Sequence, residues 1–338
     1  MTGEGPAARF GASTKRGFAR TLLLAAALFG AAQGASAQSE RAEDFPRKPI
    51  RIIVPFAAGG GNDIFARLVG AKLGEYTGHS PIIENRPAAG GRVAAEYVAN
   101  QPGDGYTLYI GASGNMSVAA AAYPDLAYHP TRSFTPLTMI ADFPLILIVP
   151  PRSSAASVAD LVKFAGANKE KATYGTTSPA FTLTTELLKL KTGMPGVPLP
   201  LKGSGEMVQC VNQDLCLLAI VDPPPAVPQI KEGRVRALAV TGDVRLAELP
   251  DVPSMKELGY PEVNTRLWSG VFAPASTPPE LARKLEALLQ RAVRDETVSA
   301  RIRALAANPT AMGSAEFRAV IEKDIANYAA VVKSANLR

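Results

Sequence analysis

The chain has 338 residues, with 36 Lys and Arg against 30 Asp and Glu, two histidines and two cysteines. At 47% apolar and 20% charged residues it is too hydrophobic for a disordered chain and long enough for two domains. No Lys/Arg run reaches five and the aromatics are scattered, which argues against nucleic acid, while His79 and His129, distant from each other and from any cysteine, give no metal-binding pattern.

At the N-terminus, Lys15, Arg16 and Arg20 precede the apolar run Thr21 to Ala32, and Ala35-Ser36-Ala37 supplies a small-x-small cleavage site. This is the pattern of a secretory leader, expected to be cut after Ala37, and the run falls short of the about 20 apolar residues a membrane span needs. Ser13 to Phe18 loosely resembles a twin-arginine signal and marks the weaker export route. Without residues 1–37 the chain keeps 301 residues, 32 basic and 29 acidic, so part of its positive charge belongs to the leader.

The first strand is expected at Ile50 to Pro55, running through Gly59-Gly60-Gly61 into an amphipathic helix near Asn62. Bare main-chain N–H groups at a helix N-terminus carry roughly half a positive charge and suit a carboxylate or phosphate. A second strand is predicted at Pro81 to Asn85, then a helix through Val93, Tyr97 and Val98, and a third strand at Tyr106 to Ala112. Phe143 to Pro150 reads as the strand opening a second unit, followed by a helix whose Ser157 and Asp160 resemble a capping box. Strands near Thr173 to Gly175, Val197 to Pro200, Leu217 to Asp222 and Ala237 to Gly242 then alternate with helices near Thr184 to Lys191, Glu206 to Val211 and Ala226 to Lys231. Cys210 and Cys216 could close a local disulfide or stay as two buried thiols, and their spacing leaves both open.

Val263 to Pro274 reads as an extended return crossing. Thr277 as N-cap, a proline at the first helical position and Glu280 at N3 then open a long helix with Leu281, Leu285, Leu288 and Val293 inward, and a last helix from about Ala315 buries Phe317, Ile321, Ile325, Tyr328 and Val332. Alternating strands and helices give an α/β chain of two lobes, each a sheet flanked by helices: 43–142 with 275–338 as a discontinuous first lobe, and 143–274 as a second that includes two hinge crossings.

The motifs VPFAAGGGNDIFARLVGAKL, ENRPAAGG, PGDGYTLYIGA, LKGSG and GRVRALAVTG followed by RLAELPDVPSMKELGYPEV, in this order from about Phe45 onward, resemble the tripartite tricarboxylate transporter substrate-binding family, the TctC or Bug proteins. The resemblance implies a periplasmic receptor of the type 2 periplasmic-binding-protein (Venus flytrap) fold, with no cofactor and no enzyme activity. It would deliver a small organic carboxylate to the large and small subunits of a membrane permease; it is expected to be a monomer. Presentation of the solute to a sensor instead is the alternative. By the same resemblance, main-chain groups at Phe56, Ala58, Gly59, Gly60 and Asn62, with Gly111 and Ser113, would form one wall of the ligand cleft. Thr176, Thr177, Ser178, Lys202, Gly203 and Ser204, with Asp222, would form the other.

The chain departs from the family pattern at Ala88, at Arg92 where asparagine is common, at Thr182 where a histidine would fall, and in VNQDLCLL. Plainer roles compete: a tight βα turn for the glycines, turn capping for the threonines, a strand end for Asp222 and a hinge anchor for Trp268. An NAD-dependent enzyme is the rival reading, because Glu84 follows the glycines at about the interval of a ribose-binding acid, but the dinucleotide glycine pattern breaks at Ile64.

Overall fold

The computed structural model describes residues 1–5 and 44–334; the expected leader cleavage after Ala37 lies outside them. Residues 1–41 and 42–338 form separate units, and of the first only Met1 to Gly5 is described, without helix or strand. Among the described residues no helix is long and apolar enough to cross a membrane.

The second unit begins with β1 (Arg51–Val54), α1 (Gly61–Thr77), β2 (Ile82–Asn85), α2 (Arg92–Ala99), β3 (Thr107–Ala112), the short α3 (Ala119–Ala122) and β4 (Phe134–Pro144). It continues through β5 (Ile146–Val149), α4 (Val158–Ala167), β6 (Thr173–Thr176), α5 (Pro179–Thr192), β7 (Val197–Pro200), α6 (Ser204–Asn212), β8 (Leu218–Val221), α7 (Pro223–Lys231) and β9 (Arg236–Val240). β10 (Arg266–Pro274), α8 (Pro279–Arg294), α9 (Glu296–Ala304), β11 (Asn308–Gly313) and α10 (Ser314–Ser334) complete it.

Two sheets result, a six-stranded one in the order β11-β4-β10-β3-β1-β2 and a five-stranded one in the order β7-β6-β8-β5-β9. β1, β2 and β3 pair in parallel, as do β6, β7 and β8, which is what βα connections produce. The capping box at α4 forms: Asp160 N–H donates to Ser157 Oγ at 3.1 Å, and Ala156 N–H to the Asp160 carboxylate at 3.2 Å.

Three expectations shift. The segment Phe143 to Pro150 is divided, its first two residues ending β4 in the first sheet and Ile146–Val149 forming β5 in the second. Most of Val263 to Pro274 is a strand built into the first sheet, antiparallel to both β3 and β4. At the start of α8 the frame moves by one residue: Pro278 is the N-cap, and Thr277 Oγ1 lies buried with no partner among the described residues, so the threonine cap does not form. Along α8 it is Leu289, not Leu288, that is fully buried beside Leu285.

The chain passes between the sheets at Leu145 and returns ahead of Arg266. Thr241 fastens both passages: Leu145 N–H donates to its Oγ1 at 2.7 Å, Thr241 N–H donates to the Leu145 carbonyl at 2.8 Å, and Oγ1 donates to the Thr265 carbonyl at 2.6 Å. Nearby, Trp268 stacks edge-on against Phe317 at 4.9 Å, and its Nε1–H donates to Asp324 at 2.8 Å, so the lone tryptophan is a buried anchor.

Candidate functional site

β1 ends at Val54, and the next six residues turn the chain into α1. Gly59 takes φ +81, a left-handed conformation that favours glycine, and Gly60 caps the helix with extended backbone. The turn is held from beneath by Asp63, whose carboxylate accepts from Gly59 N–H at 2.9 Å, from Arg67 at 2.9 and 3.0 Å, and from Asn85 at 3.0 Å. Burial alone would raise the Asp63 pKa, but these hydrogen bonds outweigh it and keep the carboxyl below its usual range.

From the other lobe, α6 and the start of α7 close on this turn. Ala57 N–H donates to the Lys202 carbonyl at 3.0 Å and Gly61 N–H to Ser204 Oγ at 3.3 Å. A Cβ on Gly60 would lie 3.1 Å from Ser204 Oγ, and one on Gly61 would overlap the Asp222 carboxylate. Three main-chain donors of the turn, at Ala57, Gly59 and Gly61, thus already have protein acceptors in Lys202, Asp63 and Ser204, and of the expected ligand contacts Gly59 is among them. The space left here, bounded by Phe56, Gly60, Asn62, Thr177, Phe181 and Asp222, is about 10 Å³, room for no more than a water.

Asp222 is the chemical centre of this contact. It precedes the triple proline opening α7, and burial raises its pKa to about 6, with hydrogen bonds from Ser204 and from main-chain N–H groups of Asp222 and Gly61 pulling the other way. Its Oδ1 is buried and has no partner among the described residues. Asn62, which lines the closed space, accepts at its Oδ1 from Ser269 Oγ at 2.7 Å.

Next to this closed space lies an open one of about 950 Å³, and Thr177 lines both. The first lobe contributes Ala89, Gly90, Arg92, Val118 and Tyr123 to it, and the second contributes Thr176, Ser178, Thr182, Leu183 and Pro198.

The expected site residues therefore separate. Phe56, Gly60, Asn62, Thr177 and Asp222 meet at the closed space, and Thr176, Thr177 and Ser178 border the open one. Ala58 is exposed, and Gly59 lines a different hollow with Gly205 and Pro224. Gly111 is buried in β3, where a Cβ would collide with Phe272, and Ser113 staples β3 to β10 through Trp268 N–H, donated to its Oγ at 2.8 Å; neither lines the closed space or the open one. The Lys202 side chain is exposed and Gly203 packs on Ala57, so these two residues contribute main chain only, while Ser204 lines the closed space. Glu84 is ion-paired with Arg51 at 2.6 Å and Arg86 at 2.5 Å, which removes it as a ribose acceptor. Cys210 and Cys216 are joined in a disulfide across a Cα separation of 5.3 Å. Phe181, Tyr123 and Ser269 were not singled out from sequence, since a lone apolar or hydroxyl side chain carries no spacing signal.

The comparisons with known proteins agree with this architecture. The TctC family, described as the tripartite tricarboxylate transporter family receptor, matches residues 65–337. BugT of Bordetella pertussis is 30% identical over 315 residues, 92% of this chain and 96% of BugT. The periplasmic binding protein BugD superposes with a TM-score of 0.83 at 27% identity, over 86% of this chain and 99% of BugD. MatC of Rhodopseudomonas palustris, solved with bound malate, superposes with a TM-score of 0.81 at 28% identity, over 85% of this chain and all of MatC. Two α/β lobes meeting across a glycine turn, and likeness along nearly the whole folded body to receptors and not enzymes, make this chain a member of the tripartite tricarboxylate transporter receptor family, with the two-lobe fold of periplasmic binding proteins.

Proposed function

We propose that the chain, freed of residues 1–37, works in the periplasm as a monomeric receptor that captures a small organic carboxylate between its lobes. It would hand that acid to the large and small membrane subunits of a tripartite tricarboxylate-type permease. The observation that carries the reading is Asp222, a buried carboxyl with one unpartnered oxygen, facing helix-terminal glycines of the other lobe. When the lobes part, Gly61 N–H loses Ser204 as its acceptor, and a ligand carboxylate is the natural replacement at the positive end of α1. A ligand hydroxyl or amine would then satisfy Asp222 Oδ1. Malate, bound by MatC, carries both kinds of group.

Closure follows from contacts made to both lobes, because second-lobe hydrogen bonds count only in the closed state. A micromolar ligand needs about 8 kcal/mol overall, and two or three charge-assisted hydrogen bonds at roughly 1.5–3 kcal/mol each supply much of that. The test is a thermal-shift screen of the purified chain against malate and other four- to six-carbon acids, followed by calorimetry. Ligand at 100 times its Kd adds about 2.7 kcal/mol to the native state, so the melting temperature should rise by several degrees, with no response to NAD. A screen in which no organic acid shifts melting would refute the receptor reading.

A further inference from the structure

The open cavity between the lobes is larger than a four-carbon acid requires. At about 950 Å³ it lies at the top of the roughly 300–1,000 Å³ typical of small-molecule sites, and most of its wall is apolar: Val118, Ala122, Pro124, Leu183, Pro198 and Pro200. Arg92 is the single charged residue among those lining it. Its guanidinium stacks on the Tyr123 ring at 4.2 Å, and its Nε–H donates to the Ala89 carbonyl at 3.2 Å, so both its plane and its direction are fixed. Among the described residues no Asp or Glu pairs with it; its partners are the Tyr123 ring and the Ala89 carbonyl.

A fixed guanidinium with unused N–H groups beside an apolar wall suits a carboxylate, which a planar fork of donors can take with two parallel hydrogen bonds. Thr177 borders both this cavity and the small space at Asp222, so the two adjoin between the lobes.

We infer that Arg92, held by Tyr123 and Ala89, anchors the far carboxylate of a diacid whose apolar body lies in this cavity, its near end entering at Asp222 and the glycine turn when the lobes part. The ligand class is therefore an elongated or aromatic dicarboxylate and not a compact hydroxy acid. This rests on the receptor reading above but asks more of it. That reading needs only that some organic acid binds, whereas this one assigns a second anchoring point and a preferred length.

The experiment titrates wild-type protein, Arg92→Gln and Arg92→Lys by calorimetry with straight-chain diacids of four to ten carbons, a benzene dicarboxylate, and the monoacid matching each. The expected result is tighter binding of the longer or aromatic diacids than of the four-carbon acid, and a preference for diacid over matching monoacid of tenfold or more. Arg92→Gln should abolish that preference and Arg92→Lys should restore part of it, with near-UV circular dichroism showing the same fold in all three. If a four-carbon acid binds best and Arg92→Gln changes every affinity by less than twofold, the outer anchor is overturned while the receptor reading stands. If no acid binds wild type, both are lost.

Discussion

Gly61 has no room for a single additional carbon, since a Cβ there would overlap the Asp222 carboxylate reaching over from the other lobe. In the helix itself the same substitution is benign, because alanine is favoured over glycine by up to about 1 kcal/mol. Gly61→Ala should therefore leave the melting temperature unchanged or slightly raised while holding the lobes apart. Loss of closure should weaken ligand binding about 100-fold, or about 2.7 kcal/mol, as read by calorimetry with whichever acid the screen identifies. Undiminished affinity in this variant would separate binding from closure. Much of this residue-scale picture was legible in the sequence, where three glycines after an apolar strand already marked a place of close approach. What was not legible is the identity of the approaching group. Ser204 and Asp222 come to the turn only because β6, β8 and α6 fold together, and no local pattern near residue 61 encodes them.

Among the elements, parallel strands with β-branched cores, such as Arg51–Val54 and Leu218–Val221, were readable because burial on both faces writes a short apolar run. β11 was not, since Asn308–Gly313 contains a proline and a glycine and is a strand only by lying at the sheet edge against β4. The first part of β4 was missed for a similar reason, with Pro136 and Asp142 interrupting its pattern. The elements leading to Asp222 have their own fastening: the disulfide joins Cys210, in the last turn of α6, to Cys216, just ahead of β8. Closing so short a loop is worth about 2 kcal/mol in the chain-entropy view. The double variant Cys210→Ala/Cys216→Ala should lose about that much unfolding free energy in urea, with α6, which carries Ser204, loosened first. Hydrogen exchange at Met207 to Val211 equal to that of the wild type would show that the helix does not depend on the link.

On the scale of the whole molecule, closure buries a carboxyl, and that links lobe movement to pH. Asp222 titrates at about 6 when the lobes are together, against about 3.9 for an unfolded aspartate. The closed form therefore binds the proton more tightly: its extra stability is complete below about pH 4 and is lost as the pH rises through about 6. The difference between those two values corresponds to about 3 kcal/mol. Melting temperature measured from pH 7 down to pH 4.5 should rise for wild type relative to Asp222→Asn, which has no proton to gain. Parallel curves would mean that Asp222 is solvated in solution and the lobes stand open.

Thr241 has a mechanical consequence. One hydroxyl group grasps both polypeptide bridges, at Leu145 and Thr265, so neither can twist without dragging its companion. Sliding one bridge past the other would break one of these hydrogen bonds, so a shear between the halves carries a cost of about 1 kcal/mol for each bond lost.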